Sequence, residues 1–277
     1  MFNFFANLFG YILNYIYNIV QNYGLAIIIF TILLKIFMLP ISINQQKTIK
    51  KSAKLQVKVK EIQNKYSNDQ VRQSQELMDL YKREKMSPFS GCLSSIVQFI
   101  IIISIFYLVS RPLTYMIHFN QDILNKYVKE ISENGEQRVN YTEIAVIREK
   151  GNEDKRVALN MDFLGLDLSS IPSQNYSDWK VFIIPVLYVI TSFVSMKITT
   201  NMQKKENEVK AQIDNKEKSE EEQTMAEMSK SMTYMMPAMA VSISLIAPLG
   251  LALYWLVSNL LMIAERFVIN KFVKEEE

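Results

Sequence analysis

A lysine, Lys35, stands in the run Gly24 to Ile41 (GLAIIIFTILLKIFMLPI), where nearly every other side chain is apolar. A charge at mid-bilayer costs about 2.5–3.5 kcal/mol on insertion scales, so such residues usually face a bundle interior or a water-filled cavity and mark function. Thr31, four residues earlier, shares its helical face. Three other apolar runs carry polar groups at helical spacing: Ser94, Ser95 and Gln98, then Thr191, Ser192 and Ser195, then Trp255 with Asn259 four residues on. Together these side chains suit a polar, hydrated recess in which an ammonium attracts acidic groups. That is the chemistry of binding and solvation. No nucleophile motif accompanies the single histidine, His118, and the single cysteine, Cys92, excludes a disulfide framework. No Cys/His cluster offers a zinc site, so the expectation is no catalytic residue, no metal and no cofactor.

Two plainer readings stand beside this one. Small polar residues are common at helix interfaces in bilayers, where Ser and Thr serve packing. Lys35 lies only six residues before Ile41, so its ammonium has a route to the headgroups by snorkelling.

The elements that must position these residues are membrane helices. Of 277 residues, 49% are hydrophobic and gathered into long blocks, which excludes an ordinary soluble class. Hydropathy marks Gly24 to Ile41, Cys92 to Val109, Val181 to Ile198, Thr233 to Leu249 and Leu251 to Ile269. Each approaches the roughly 20 residues that cross a ~30 Å hydrocarbon core. Five spans place the termini on opposite sides. Basic residues near span ends accumulate on the cytoplasmic side, and here they crowd Lys47 to Lys85, follow span three at Lys197, Lys204 and Lys205, and follow span five at Arg266, Lys271 and Lys274. The expected orientation is N-terminus outside and C-terminus cytoplasmic. The recess then opens to the cytoplasm and is closed outward by Leu25 to Phe30, Ile100 to Phe106 and Ile243 to Ala247. The net charge of +3 is small and local, reporting topology and lipid contact rather than nucleic-acid binding.

The expected organisation runs as follows. Residues 1–22 form an outer interfacial helix, because Asn3, Asn7, Asn14, Asn18 and Gln21 share one helical face while Phe2, Phe5, Phe9, Leu13 and Ile16 fill much of the rest. A sixth span is the alternative. Residues 23–42 are the first span, and residues 43–90 a basic cytoplasmic hairpin with turn and N-cap chemistry at Ser67-Asn68-Asp69. Leu55, Val59 and Ile62 form a stripe on its first helix, and Val71, Leu77, Met78 and Tyr81 one on its second. A solvated loop that merely sets topology is the alternative there. Spans two to five occupy 91–109, 181–198, 231–249 and 250–270, with a cytoplasmic tail at 271–277. The outer segment 110–180 carries β-branched stretches, Arg138 to Ile147 and Arg156 to Phe163, that suggest a β-hairpin about Glu149 to Asn152. The charged loop 199–230 reads as an exposed helix pair or a mobile loop.

Three blocks in order resemble the YidC membrane-protein insertases and their mitochondrial and chloroplast relatives: YGLAIIIFTILLKIFMLPIS at Tyr23 to Ser42, MSPFSGCLSSIVQFIIIISIFY at Met86 to Tyr107, and MTYMMPAMAVSISLIAPLGLALYWLVSNL at Met232 to Leu261. FLGLDLS at Phe163 to Ser169 is similar to the outer segment before the third span. The resemblance implies an all-α integral membrane protein of a bacterial cell membrane, with five transmembrane helices, a groove open to cytoplasm and lipid, a positive residue in the first span and a cytoplasmic helical hairpin. The family typically has arginine where this chain has Lys35, which keeps the charge but loses the five-donor fork. Met196 stands where a glutamine is often found.

The function expected is insertion and folding of short-tailed membrane proteins, alone or beside the Sec translocon, without catalysis. The groove residues are Lys35, Thr31, Ser94, Ser95, Gln98, Ser192, Ser195, Trp255 and Asn259. A substrate helix would contact Ile96, Phe99, Met239 and Ile243, while Lys47, Lys50, Lys51, Lys54, Lys58, Lys82, Arg83 and Lys85 would meet a ribosome or nascent chain. Expected partners are nascent membrane proteins, the ribosome, the Sec translocon and targeting machinery, and the lipid bilayer, with no sequence-specific nucleic-acid binding. The competing classes are a small-solute transporter or channel subunit, against which five unequal spans argue, and an assembly scaffold for membrane complexes.

Overall fold

The structure is a computed structural model that describes residues 2–67, 69–84, 90–134, 141–211, 235, 239 and 241–274. It is mostly helical. Nine α-helices are described in full: α1 Phe2–Val20, α2 Tyr23–Lys65, α3 Gln70–Arg83, α4 Ser90–Ser110, α5 Pro112–Tyr115, α6 Gln121–Asn134, α7 Thr142–Lys150, α8 Ile183–Ala211 and α9 Leu249–Lys274. Residues 241–246 are helical too, but most of the expected fourth span lies outside the described residues. Among the described residues three segments are long and apolar enough to cross a membrane: Tyr23–Thr48, Trp179–Ile198 and Leu249–Val268. The apolar Ile96–Ser110 stretch of α4 is shorter. The helix α1 is not among the three.

Packing divides the chain into two compact units, one of Met1–Ile36 with Ile102–Ala264 and one of Phe37–Ile101 with Glu265–Glu277. In the first, α1 presents three arcs. Ala6, Phe9, Gly10, Leu13 and Ile16 are buried; Phe4, Leu8, Ile12, Tyr15 and Ile19 are exposed; the asparagine stripe lies between. The buried arc packs on α5. There is no room for a side chain at Gly10, since a Cβ would sit 1.8 Å from the Tyr115 carbonyl oxygen. Asn22 then caps α2, its Oδ1 accepting from Leu25 N at 3.0 Å.

Residues 110–180 gather the helix ends. Tyr23 N donates to Asn160 O at 3.0 Å, and Asn160 Nδ2 to Gln21 O at 3.0 Å. Leu249 N and Gly250 N donate to Ser170 O and Leu168 O, each at 2.9 Å. The start of α9 is thereby tied to the segment that holds the start of α2. The expected β-hairpin about Glu149 to Asn152 is not formed. Thr142–Lys150 is a helix instead, with Glu143 to Ile147 all buried; it packs on α5 and α6, so tertiary burial outweighs the strand preference of its β-branched residues. Among the described residues the strands are two residues each, Asp162–Phe163 antiparallel to Leu166–Asp167. Both residues of their turn have positive φ, Leu164 at 55° and Gly165 at 77°, the geometry that suits the twist of a two-residue hairpin.

In the second unit α2 continues unbroken through Pro40 and past the expected end of the first span. Asp69 caps α3, accepting from Arg72 N at 3.0 Å, and α3 folds back so that Gln73 Nε2 reaches Gln63 O at 3.1 Å. Leu55 is buried. On α3 the less exposed apolar residues are Leu77, Leu80 and Tyr81, whereas Val71 and Met78 point outward. These two lie one heptad apart on a different face. The helix α8 also runs on to Ala211, into the expected charged loop; residues 212–234 lie outside the described residues.

Candidate functional site

The helix α2 holds Lys35 in a continuous apolar stretch, four residues from a Thr31 that is almost fully buried and whose Oγ1 donates to Ile27 O at 2.6 Å. That internal bond satisfies the hydroxyl without a partner helix, so Thr31 adds polarity but no interhelical link. Lys35 itself is half-buried. Its neighbours Leu33, Ile36 and Phe37 are exposed, as befits the lipid side of a spanning helix.

The structure joins α8 to α9 through polar groups deep among apolar ones. Asn259 Nδ2 donates to Thr191 Oγ1 at 3.2 Å and to Ser192 Oγ at 3.1 Å. Ser192, Ser195 and Asn259 are all buried. One turn away, the Tyr188 and Trp255 rings lie 6.1 Å apart. A buried amide facing two hydroxyls is stable because each polar group meets another where water is scarce. Tyr188 is a member of this cluster that spacing alone did not reveal; its signal was its position one turn before Ser192.

The other expected groove residues divide. Gln98 is exposed and belongs to the second unit, and the side chains of Ser94 and Ser95 lie outside the described residues. Of the proposed substrate-helix contacts, Ile96, Phe99 and Met239 are exposed and Ile243 is half-buried. Among the basic residues, Lys47, Lys51, Lys58, Lys82 and Arg83 are exposed, while the side chains of Lys50, Lys54 and Lys85 lie outside the described residues. Lys58 pairs with Glu84 at 2.6 Å, and Lys51 Nζ donates to Glu84 O at 2.7 Å. The hydrogen bond and charge of Lys58 hold the Glu84 carboxyl below its usual range. Among the described residues no group of three or more His, Cys, Asp or Glu gathers as a metal would require.

A second polar constellation, which sequence reasoning missed, stands within residues 110–180. Glu143 is buried and accepts from Thr114 N at 2.9 Å and Thr114 Oγ1 at 2.6 Å, so a carboxyl carried by α7 caps the short α5. Burial pushes that carboxyl up, against the lowering pull of the Thr114 bonds and the Arg111 charge. Close by, Asp154 receives Arg156 Nη2 at 2.8 Å and Tyr127 Oη at 3.0 Å. Its carboxyl is held well below the ordinary range, chiefly by the Arg156 hydrogen bond. The geometry of both is structural, fixing α7 to α5 and the turn after α7 to α6.

Comparison with known proteins adds the family. The model of the 60Kd inner membrane protein family matches residues 15–276. A membrane protein insertase YidC of Rickettsia prowazekii (strain Madrid E) is 27% identical over 262 residues, covering 95% of this chain and 38% of that protein. One of Geobacter metallireducens is 25% identical over 265 residues, 96% of this chain and 36% of that protein. One of Syntrophus aciditrophicus is 41% identical over 120 residues, 43% of this chain and 21% of that protein. The chain thus spans well under half the length of these relatives.

Proposed function

Because the chain belongs to the 60Kd inner membrane protein family, we propose that it is a membrane-protein insertase that brings short-tailed proteins into the bilayer through a hydrated groove. The observation that carries this reading is the half-buried Lys35 on a helix apolar enough to span a membrane. The physical problem is the cost of moving a polar tail through hydrocarbon. A groove wetted from the cytoplasm lets the tail stay solvated partway, and an ammonium within it attracts acidic side chains. Lys35, Thr31, Ser192, Ser195 and Asn259 provide the polarity, with Gln98, Ser94, Ser95 and Trp255 proposed as further lining.

The substrate's apolar helix meanwhile lies against Ile96, Phe99, Met239 and Ile243, and burial of its surface in lipid drives release. With the N-terminus outside and the C-terminus cytoplasmic, a potential positive outside favours outward movement of acidic tails, by about 2.3 kcal/mol per charge per 100 mV. The basic hairpin of α2 and α3 meets ribosome or nascent chain by electrostatic attraction. No bond is made or broken, so the reading involves no enzyme chemistry.

The test is reconstitution. Proteoliposomes containing the purified full chain should insert a radiolabelled single-span protein with an acidic tail, scored by protease protection, while leaking no small solute. Solute flux without insertion would replace this reading with the transporter class.

A further inference from the structure

We propose that a cavity at the C-terminal end of α4 binds the phosphate headgroup of an anionic phospholipid. The site lies within the first compact unit and uses none of the groove residues. Its volume is about 260 Å³, just below the ~300–1,000 Å³ of small-molecule pockets and suited to a headgroup rather than a whole lipid.

The donors come first. Arg111, Tyr107, Tyr141 and Thr142 line the cavity, offering one guanidinium fork and three hydroxyls, and no carboxylate is among the lining residues. Arg111 is exposed, with its guanidinium carbon 5.6 Å from the centre of the Tyr107 ring. The nearby Glu143 carboxylate feels this charge but makes no ion pair with it, and its two oxygens accept from Thr114. A forked guanidinium beside hydroxyls matches a phosphate, which offers several acceptor oxygens.

A second observation is independent of charge. Ser110 also lines the cavity, is 7% exposed, and its hydroxyl has no hydrogen-bond partner among the described residues. Buried hydroxyls are nearly always paired, and one left over at a cavity wall indicates a missing partner.

Position selects the source of the phosphate. The apolar stretch Ile96–Ser110 ends where Arg111 begins, which sets the guanidinium at the level where an apolar helix leaves the hydrocarbon. Aromatic side chains favour that level, and Tyr107 and Tyr141 are there. The remaining wall is apolar, made by Phe106 and Ile246. Ile246, like Ile102 further down α4, is exposed. A soluble anion gains nothing from such a wall, whereas acyl chains continue from the headgroup along it.

Native mass spectrometry on the delipidated full chain tests this, with phosphatidylglycerol and phosphatidylcholine of identical chains offered together. The wild-type protein should retain phosphatidylglycerol preferentially. Arg111→Gln should weaken that retention roughly tenfold, the loss of a charge-assisted fork, and Arg111→Lys should fall between. Thr142→Val, which removes one hydroxyl at nearly constant shape, should weaken it about threefold and decides the matter should Arg111→Gln not fold. Lys180→Gln, a charge change elsewhere in the outer segment, should change nothing. Equal retention of the two lipids, or undiminished retention in Arg111→Gln and Thr142→Val, would overturn the proposal. So would displacement of the lipid by millimolar glycerol phosphate or inorganic phosphate, which would make the site one for soluble anions.

Discussion

Asn259 donates to Ser192 Oγ at 3.1 Å, and this amide, shared with Thr191 Oγ1, ties α9 to α8 where both are surrounded by apolar side chains. It is an interhelical polar contact on residues that the groove reading uses. Such bonds in a bilayer contribute about 0.6 kcal/mol on average and about 1.7 kcal/mol at most, so the contact is better suited to orienting polar groups than to holding the fold. Asn259→Leu should therefore lower the thermal unfolding midpoint only slightly in detergent while reducing insertion severalfold. A large stability loss with insertion per folded molecule unchanged would assign Asn259 to packing alone.

Glu143 predicts a pH dependence of known sign. Its carboxyl is raised above the ordinary 4.5 by burial, so the folded state binds the proton more readily than the unfolded state. Its contribution to stability is present below the unfolded value and is lost as pH rises through the folded one. Glu143→Gln should flatten that part of the profile and keep the fold at neutral pH. Glu143→Ala, which strips Thr114 N–H of its acceptor, should cost about 1–3 kcal/mol. Thermal melts of the three proteins from pH 4 to pH 8 check both statements. Asp154 works in the opposite sense: held low by Arg156, its contribution fades only as pH falls.

At Gly10 the prediction concerns close approach. Because a Cβ there would collide with the Tyr115 carbonyl, even Gly10→Ala must push α1 away from α5, at about 1–3 kcal/mol for such overpacking. Proteolysis at the α1 to α2 junction should quicken. Unaltered proteolysis would mean that α1 is held by other contacts.

The hairpin prediction is electrostatic. Replacing the exposed Lys47, Lys58, Lys82 and Arg83 by Glu should sharply weaken capture of ribosome-bound nascent chains, and raising salt should weaken wild-type capture in the same direction. Glu84→Gln, which breaks the surface pair with Lys58, should leave the unfolding midpoint nearly unchanged. Salt-independent capture, unmoved by the four substitutions, would reduce the hairpin to a topology signal.

What could be read from the chain beforehand followed from how local the deciding forces were. Lys35 and its apolar run, the Asp69 cap and the asparagine face of α1 are visible because periodicity and capping act within a few residues. The Asn259, Ser192 and Thr191 contact was half-visible: spacing placed each polar group on a helix face, but only packing could show which faces meet. The helix Thr142–Lys150 was hidden because its middle, Glu143 to Ile147, is buried on every side, which erases the polar face that marks an amphipathic helix, and its β-branched residues favour a strand in isolation. Val71 and Met78 were grouped with Leu77 and Tyr81 in one stripe, yet both are exposed, while the less exposed apolar residues of α3 are Leu77, Leu80 and Tyr81. Ser110 and Arg111, read only as the start of the segment after span two, acquire meaning from residues about 30 and 135 positions away, Tyr141 and Ile246, that complete their cavity.

The proposed insertase depends on Lys35 for its groove charge, and a charge-swap insertion assay reads out that dependence. An ion pair at 4 Å is worth about 4 kcal/mol at an effective dielectric constant of 20, so Lys35→Glu should slow insertion of an acidic-tailed single-span protein at least tenfold. Lys35→Arg should retain it, and a basic-tailed substrate should regain insertion in Lys35→Glu. Equal insertion of the acidic-tailed substrate by wild type and Lys35→Glu, at matched amounts of folded protein, would contradict the account.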